Sequence, residues 1–304
     1  MKSPRFEFLE VNCPVCGSDD RSYKGMRGGI DHQSGSGEPS SIFRCRECTH
    51  LYPFPMPIPV HGLNDLYENA DEYFKGHDID KKILNGVEMM RQFEGRLGTK
   101  GSFLDVGCGV GELLRAAQDE GWAAEGIDPS REFVSIGREK LGVNAKVCTL
   151  KDAGYPDEHF DAVAMSSLIE HLYDPLQVLI EIRRILKPLG ILWFDAPNED
   201  GLYMKFGNLY MKLRGKKQVV VMAPTFAPFH VQGFNPRSVR TILKNADLVP
   251  DELLVIGEVC PQTGKSTRAK RAEFYLARKV NTIGRWIGMG TYMSVWSRRS
   301  DSFR

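Results

Sequence analysis

Apolar positions along the chain change period several times. Between residues 78 and 97 they fall at Ile79, Ile83, Val87, Met90 and Phe93. That spacing predicts a helix with one buried stripe. From residue 102, short apolar runs alternate with helical stretches. Strands are expected at 102–106, 123–127, 145–148, 161–165 and 191–196, with helices at 111–120, 129–141 and 174–186. Pro129 and Pro175 stand near helix starts, and Pro188 with Gly190 stops the third helix. Such a series predicts an open, mostly parallel α/β sheet, doubly wound with helices on both faces. A helix at 236–245, a strand at 253–259, a basic helix at about 267–286 and a last strand at 291–297 complete it.

Two stretches break the alternation. Residues 201–235 are aromatic, Met-rich and basic. The first 57 residues contain no long apolar run; their stretch from Gly25 to Ser41 is hydrophilic and Gly/Ser-rich, so little burial is expected of it. Pro53, Pro55, Pro57 and Pro59 read as an extended connector, with a helical pattern from about Leu63. The expected division is a head at 1–57, a linker and helical lid at 58–98, and a core at 99–304 with its insertion at about 201–235.

Composition narrows the classes. The 304 residues carry 40 Lys+Arg against 39 Asp+Glu, a net charge of +1. This gives no general pull toward nucleic acid or acidic membranes, while leaving room for a local basic patch. No apolar run reaches the ~18 residues needed to cross a bilayer. Residues 1–10 contain Glu7 and Glu10 and no apolar segment, so they do not read as a secretory signal. A cytoplasmic chain is expected, in which the seven cysteines serve metal or catalysis rather than disulfides.

Four of them form two pairs, Cys13-Pro-Val-Cys16 and Cys45-Arg-Glu-Cys48. Two such knuckles place four thiolates around one tetrahedral Zn²⁺. The metal substitutes for a core that about 50 residues cannot build alone. A four-ligand site is closed, hence structural. A redox dithiol is the rival reading, but the βαβ context it needs is absent. His32 and His50 nearby read as ordinary polar residues.

The loop after the first core strand reads Phe103-Leu-Asp105-Val-Gly107-Cys-Gly109-Val-Gly111-Glu112. Glycines let backbone approach a ligand, and the helix start offers unpaired N–H groups. Glu112 stands where a dinucleotide fingerprint needs glycine, and no phosphate-binding lysine follows. Asp105, inside a strand, requires a partner such as a ligand ammonium. Asp128, at the end of the next strand, suits two ribose hydroxyls.

With these residues the chain resembles the class I S-adenosylmethionine-dependent methyltransferases. The resemblance rests on LDVGCGVG (104–111), GID (126–128), FDAV (160–163), IEHLYDP (169–175), ILKPLGILWFDAPN (185–198) and HVQGFNPRSVRTILKNA (230–246). It covers about 200 residues. The segment CPVCG…FRCRECTHLY resembles the zinc-binding, zinc-ribbon-like head of some bacterial members, which often act on sugars. The resemblance implies a seven-stranded Rossmann-like sheet and S-adenosylmethionine as cofactor. Gly107, Gly109 and Gly111 would pass beneath its methionine part, Asp105 beside its amino group, and Asp128 at its ribose. Thr149 and Leu150 would lie along the adenine, where many relatives carry an acid; Asp152 is a candidate substitute. Ser166 and Ser167 would face the methyl group.

If the acceptor is a hydroxyl or an acidic carbon, a base is needed, and histidine suits neutral pH. His171 and His230 are the candidates, each with a structural role as the alternative. In 201–235, Tyr203, Phe206, Tyr210, Phe226 and Phe229 interleave with Lys205, Lys212, Arg214, Lys216 and Lys217. Three readings stay open: a pocket wall for a nucleotide-sugar, an amphipathic lid with a solvated face, or a peripheral membrane contact. Tyr67 and Tyr73 would close the same pocket. The expected enzyme methylates a small molecule, foremost a nucleotide-activated sugar. The alternative is an RNA methyltransferase whose head grips nucleic acid, a partner the balanced charge disfavours.

Overall fold

The computed structural model describes residues 6–29, 37–60, 77–257 and 268–303. His32, Tyr67, Tyr73, Cys260 and the expected helix onset at residue 63 lie outside the described residues.

The central sheet has seven strands. β6 (Ser102–Val106), β7 (Ala123–Asp128), β8 (Ala145–Val147), β9 (Phe160–Met165) and β10 (Leu186–Pro197) are parallel. β12 (Tyr292–Arg299) pairs antiparallel with both β10 and β11 (Leu248–Ile256). The spatial order is β11-β12-β10-β9-β6-β7-β8. Helices cover both faces, as the apolar pattern predicts. Successive side chains of β6 alternate: Leu104 and Val106 enter one core with Leu179 and Ile182 of α4 (Pro175–Ile185). Phe103 enters the other with Met90 and Phe93 of α1 (Ile79–Leu97). α1 is capped by Asp78, whose carboxylate accepts the Lys81 N–H, and ends at left-handed Gly98. It crosses α2 (Glu112–Asp119) where Gly86 meets Ala116. α3 (Arg131–Leu141) and α6 (Pro236–Asn245) complete the layers.

Two element boundaries differ from expectation. α4 stops at Ile185, and Pro188 and Gly190 lie within β10 rather than ending a helix. The β9 register shifts between Leu186 and Ile191, an irregularity that tolerates a residue without an N–H. β11 begins at Leu248, five residues earlier than its apolar pattern suggests. The earlier start includes Pro250, which β11 tolerates as an edge strand with a register shift beside that proline.

The head is more ordered than its composition suggests. β2 (Arg21–Arg27), β3 (Ser40–Cys45) and β4 (Leu51–Pro53) form a three-stranded sheet, so both ends of the Gly/Ser-rich stretch are strands. The proline-studded connector contains β5 (Met56–Pro59), paired with β1 (Phe6–Leu9). Gly25 is required sterically: a Cβ there would stand 2.6 Å from the Lys217 carbonyl oxygen. The Met26 N–H donates to that same oxygen at 2.9 Å. Leu51 and Gly233 exchange backbone hydrogen bonds of 3.0 and 2.8 Å. Arg44 grips both oxygens of Asp200, at 3.0 and 2.6 Å. Cys13, Val15, Tyr52 and Met56 share one hydrophobic cluster with Val231, Phe234 and Ile242.

After β10 comes α5 (Leu202–Leu213), and α7 (Arg268–Trp286) packs beside it. Among the described residues no helix is long and apolar enough to cross a membrane.

Candidate functional site

The turn from β6 into α2 is built on left-handed backbone, with φ of +71° at Gly107, +54° at Gly109 and +89° at Gly111. Only glycine adopts such values without strain. Gly107 and Cys108 both donate to the Ile127 carbonyl, at 2.8 and 3.1 Å. Asp128 completes the link between the two loops. Its Oδ2 accepts the Gly109 N–H at 3.0 Å and its Oδ1 the Ser130 N–H at 2.8 Å. Burial raises the Asp128 pKa, opposed by these two donors. Each oxygen keeps a second lone pair for a further hydroxyl.

This loop borders a cavity of about 500 Å³. Gly107 and Gly109 form one side, Lys82 and Met89 of α1 another, and Ser166, Ser167 and Asp195 the strand ends. Asp105 and Glu112 also face it. Asp105 is 3% exposed. Burial, then the charges of Glu112 and Asp128, pushes its pKa up to about 8. Lys82 Nζ lies 3.4 Å from Glu112 Oε1. Three carboxylates near one glycine loop make a place for a cation. S-adenosylmethionine, with its ammonium and sulfonium, fits that donor set.

At the other end, Ser167 holds a left-handed φ of +48°. Its N–H donates to Asp195 Oδ1 at 2.5 Å, and its hydroxyl lies 2.8 Å from the Tyr292 hydroxyl. A non-glycine residue in this conformation is held by its surroundings, a common device where a side chain must be aimed.

A second constellation follows in the turn at Ile169–His171. The ligand atoms of Glu170, His171 and His230 lie within 4.8 Å of one another, near enough to share a divalent ion. His171 and His230 meet edge to face at 4.9 Å, and His230 Nε2 is 3.9 Å from Glu170 Oε1. Burial lowers the histidine pKa values, to about 4 for His171 and about 3 for His230, where the charge of His171 adds to the effect. It raises Glu170 to about 8, with Asp195 and Glu199 contributing. At neutral pH both imidazoles are uncharged. His50, read from sequence as an ordinary polar residue, is fully buried and hydrogen-bonds Gln232 at 2.8 Å; Gln232 in turn donates to the Leu172 carbonyl.

Of the residues singled out from sequence, Asp105, Gly107, Gly109 and Ser166 line the cavity, and Asp128 braces its loop. Gly111 caps α2. Thr149 and Leu150 are not among the lining residues. Thr149 donates to Asp152 at 2.6 Å, so this acid engages its neighbour, and Leu150 is buried in the main core. His171 and His230 stand beside each other but outside the lining. The aromatic and cationic residues of 201–235 do not line it either. α5 has no buried residue, so Tyr203, Phe206 and Tyr210 stay exposed. Lys82, Asp195 and Tyr292 were missed. Asp195 carried a signal, as the one charge in the apolar run 191–196.

The four head cysteines converge. Cys13 Sγ lies 3.5 Å from Cys48 Sγ, and Cys16 Sγ 3.5 Å from Cys45 Sγ; all four fall within 4.8 Å. Tetrahedral zinc thiolates stand about 3.8 Å apart, so the cluster fits such an ion.

A family model described as a methyltransferase domain matches residues 77–253. A ubiquinone biosynthesis O-methyltransferase of Thiobacillus denitrificans is 26% identical over 194 residues, covering 62% of this chain and 79% of the relative. One from Vibrio atlanticus is 26% identical over 202 residues, covering 63% and 81%. Among solved structures, a methyltransferase dependent on S-adenosylmethionine from Archaeoglobus fulgidus is 19% identical, with a TM-score of 0.49 over 70% of this chain and 92% of that one.

Proposed function

Since this chain belongs to the S-adenosylmethionine-dependent methyltransferases, we propose that the glycine-loop cavity is where it methylates a hydroxyl of a small molecule. The observation that carries the reading is the convergence of Asp105, Glu112 and Asp128 on one loop. When bound, the cofactor supplies an electrophilic methyl group. The chain's own task is to hold an acceptor in line with it, which contributes ~7–11 kcal/mol in well-aligned reactions.

Asp105 pairs with the cofactor's ammonium, Gly107, Gly109 and Gly111 let its methionine part approach, and Asp128 holds its ribose. Thr149 and Leu150 follow the strand edge toward its adenine. Ser166 faces the methyl group. His171 and His230 stand outside the cavity lining, and one of them accepts the proton of a hydroxyl that reaches past it. Burial keeps both imidazoles uncharged at neutral pH and makes them weak bases.

The finer reading is a nucleotide-activated sugar. Ser166, Ser167, Asn85 and Asp195 offer hydrogen-bonding groups suited to a polyol. The diphosphate stays outside, because the carboxylates facing the cavity repel it. The O-methyltransferase names of the curated relatives support a hydroxyl acceptor in general. The head at 1–57 holds one structural Zn²⁺ through Cys13, Cys16, Cys45 and Cys48, and residues 99–304 carry the catalytic core. A methyl-transfer screen over nucleotide-sugars and free phenols, read by mass spectrometry, tests the substrate. Methylation of phenols alone rejects the sugar.

A further inference from the structure

α5 is a twelve-residue helix without a buried residue. It is held along one side, where α7 packs and the Leu202 N–H donates to the Met289 carbonyl at 2.8 Å. Gly207 sits against Val220, Asn208 Oδ1 accepts the Val220 N–H at 2.9 Å, and Met204 packs on the small cluster around Leu51 and Val221. Tyr203, Phe206, Leu209, Tyr210 and Leu213 are all exposed, Phe206 at 54% and Leu213 at 78%. At helical spacing these five share about a third of the circumference, away from Gly207 and Met204. Lys205 and Lys212 border them. The neighbouring α7 ends in exposed Ile283 and Trp286, followed by exposed Ile287; Trp286 is 83% exposed. So many large apolar side chains on adjoining helices mark a contact surface.

Charge says what that surface meets. Residues 201–233 hold five Lys or Arg and no acid, in a chain whose net charge is only +1. Between β2 and α5 lies a second cavity of about 430 Å³. Lys24, Lys212, Lys216 and Lys217 line it with Tyr23 and Asn208, and no carboxylate does. It shares no lining residue with the glycine-loop cavity. Four lysines and no carboxylate around one concavity suit a phosphate. Exposed aliphatic Leu209, Leu213, Ile283 and Ile287 stand among the aromatics Tyr203, Phe206, Tyr210 and Trp286. Such aliphatic groups give a base nothing to stack on, whereas a bilayer interface accepts both kinds. A cationic border around an aromatic and aliphatic arc is the pattern of a helix lying in a lipid interface.

We infer that α5, the end of α7 and the lysine cavity form a docking face for an anionic phospholipid bilayer. The cavity receives a headgroup phosphate while Phe206, Tyr210 and Leu213 enter the headgroup–acyl boundary. Six residues separate Asp195, in the methyl-transfer cavity, from the first residue of α5. This inference does not depend on the identity of the acceptor.

The test is co-sedimentation of the full chain with vesicles of phosphatidylcholine alone or with one quarter phosphatidylglycerol. Binding is expected to the anionic vesicles, to fall with salt, and to weaken roughly fivefold for each lysine charge removed. Replacing Lys24, Lys212, Lys216 and Lys217 together by Gln weakens it at least tenfold. Phe206→Ser with Leu213→Ser does the same, and circular dichroism shows both variants folded. Trp122, Trp193 and Trp296 are buried, so a blue shift of tryptophan emission on vesicles reports Trp286. Equal partitioning into both vesicle types, no partitioning, or partitioning unchanged by the lysine replacements overturns the inference. So does capture of a free nucleoside diphosphate by the lysine cavity without vesicle binding.

Discussion

Asp128 is bonded to Gly109: its carboxylate accepts the glycine N–H at 3.0 Å and so ties the end of β7 to the loop that follows β6. The other oxygen holds Ser130 at 2.8 Å. Asp128 thus shapes the cofactor loop before any ligand contact. Hydrogen bonds to a charged group contribute about 1.5–3 kcal/mol each. Asp128→Ala therefore lowers the unfolding free energy by at least about 2 kcal/mol without ligand, measured by urea denaturation. Unchanged stability contradicts the bracing role.

Asp105 leads to a prediction about protons. Its pKa is raised to about 8 in the free protein, by burial first and then by Glu112 and Asp128. A cationic ligand favours the ionised form, so binding lowers that pKa and releases a proton. Calorimetry at pH 7 in two buffers of different ionisation heat detects release of up to one proton, and Asp105→Asn abolishes it. Identical heats in the two buffers speak against the Asp105–ammonium pair.

The paired histidines predict a kinetic effect. His230→Ala lowers kcat about a hundredfold, the usual scale for loss of a general base. Cofactor affinity stays unchanged, because His230 lies outside the glycine-loop cavity. A loss confined to KM assigns His230 to loop anchoring instead.

The head predicts a metal-linked stability. Cys13, Cys45 and Cys48 lie in the same cluster as Val231 and Phe234, so loosening the knuckles disturbs the core. One zinc per chain is expected by atomic emission. Cys13→Ser lowers Tm by at least about 5 °C. Absence of zinc together with an unchanged Tm refutes the structural-metal reading.

Much of this was legible in the chain itself. The β6–α2 loop declared itself because left-handed turns demand glycine, and Gly107, Gly109 and Gly111 all have positive φ. The cysteine pairs were equally plain, since CxxC spacing is set by metal geometry. What stayed hidden depended on tertiary placement. Lys82 sits on a helical stripe like any surface lysine until α1 is laid across α2. Tyr292 reaches Ser167 only through the antiparallel pairing of β12 with β10. The aromatics of 201–235 left pocket wall, lid and membrane contact open, because periodicity does not say which side of a helix faces solvent. Pro188, read as a helix stop, lies inside β10, because register shifts decide whether a missing N–H matters.

The central claim is that the loop held by Asp128 binds S-adenosylmethionine. Isothermal titration of the cofactor into the wild-type chain and Asp128→Ala tests it most directly. The account predicts saturable binding to the wild type and at least tenfold weaker binding to the folded variant. Equal affinities, or no binding to the wild type, would contradict it.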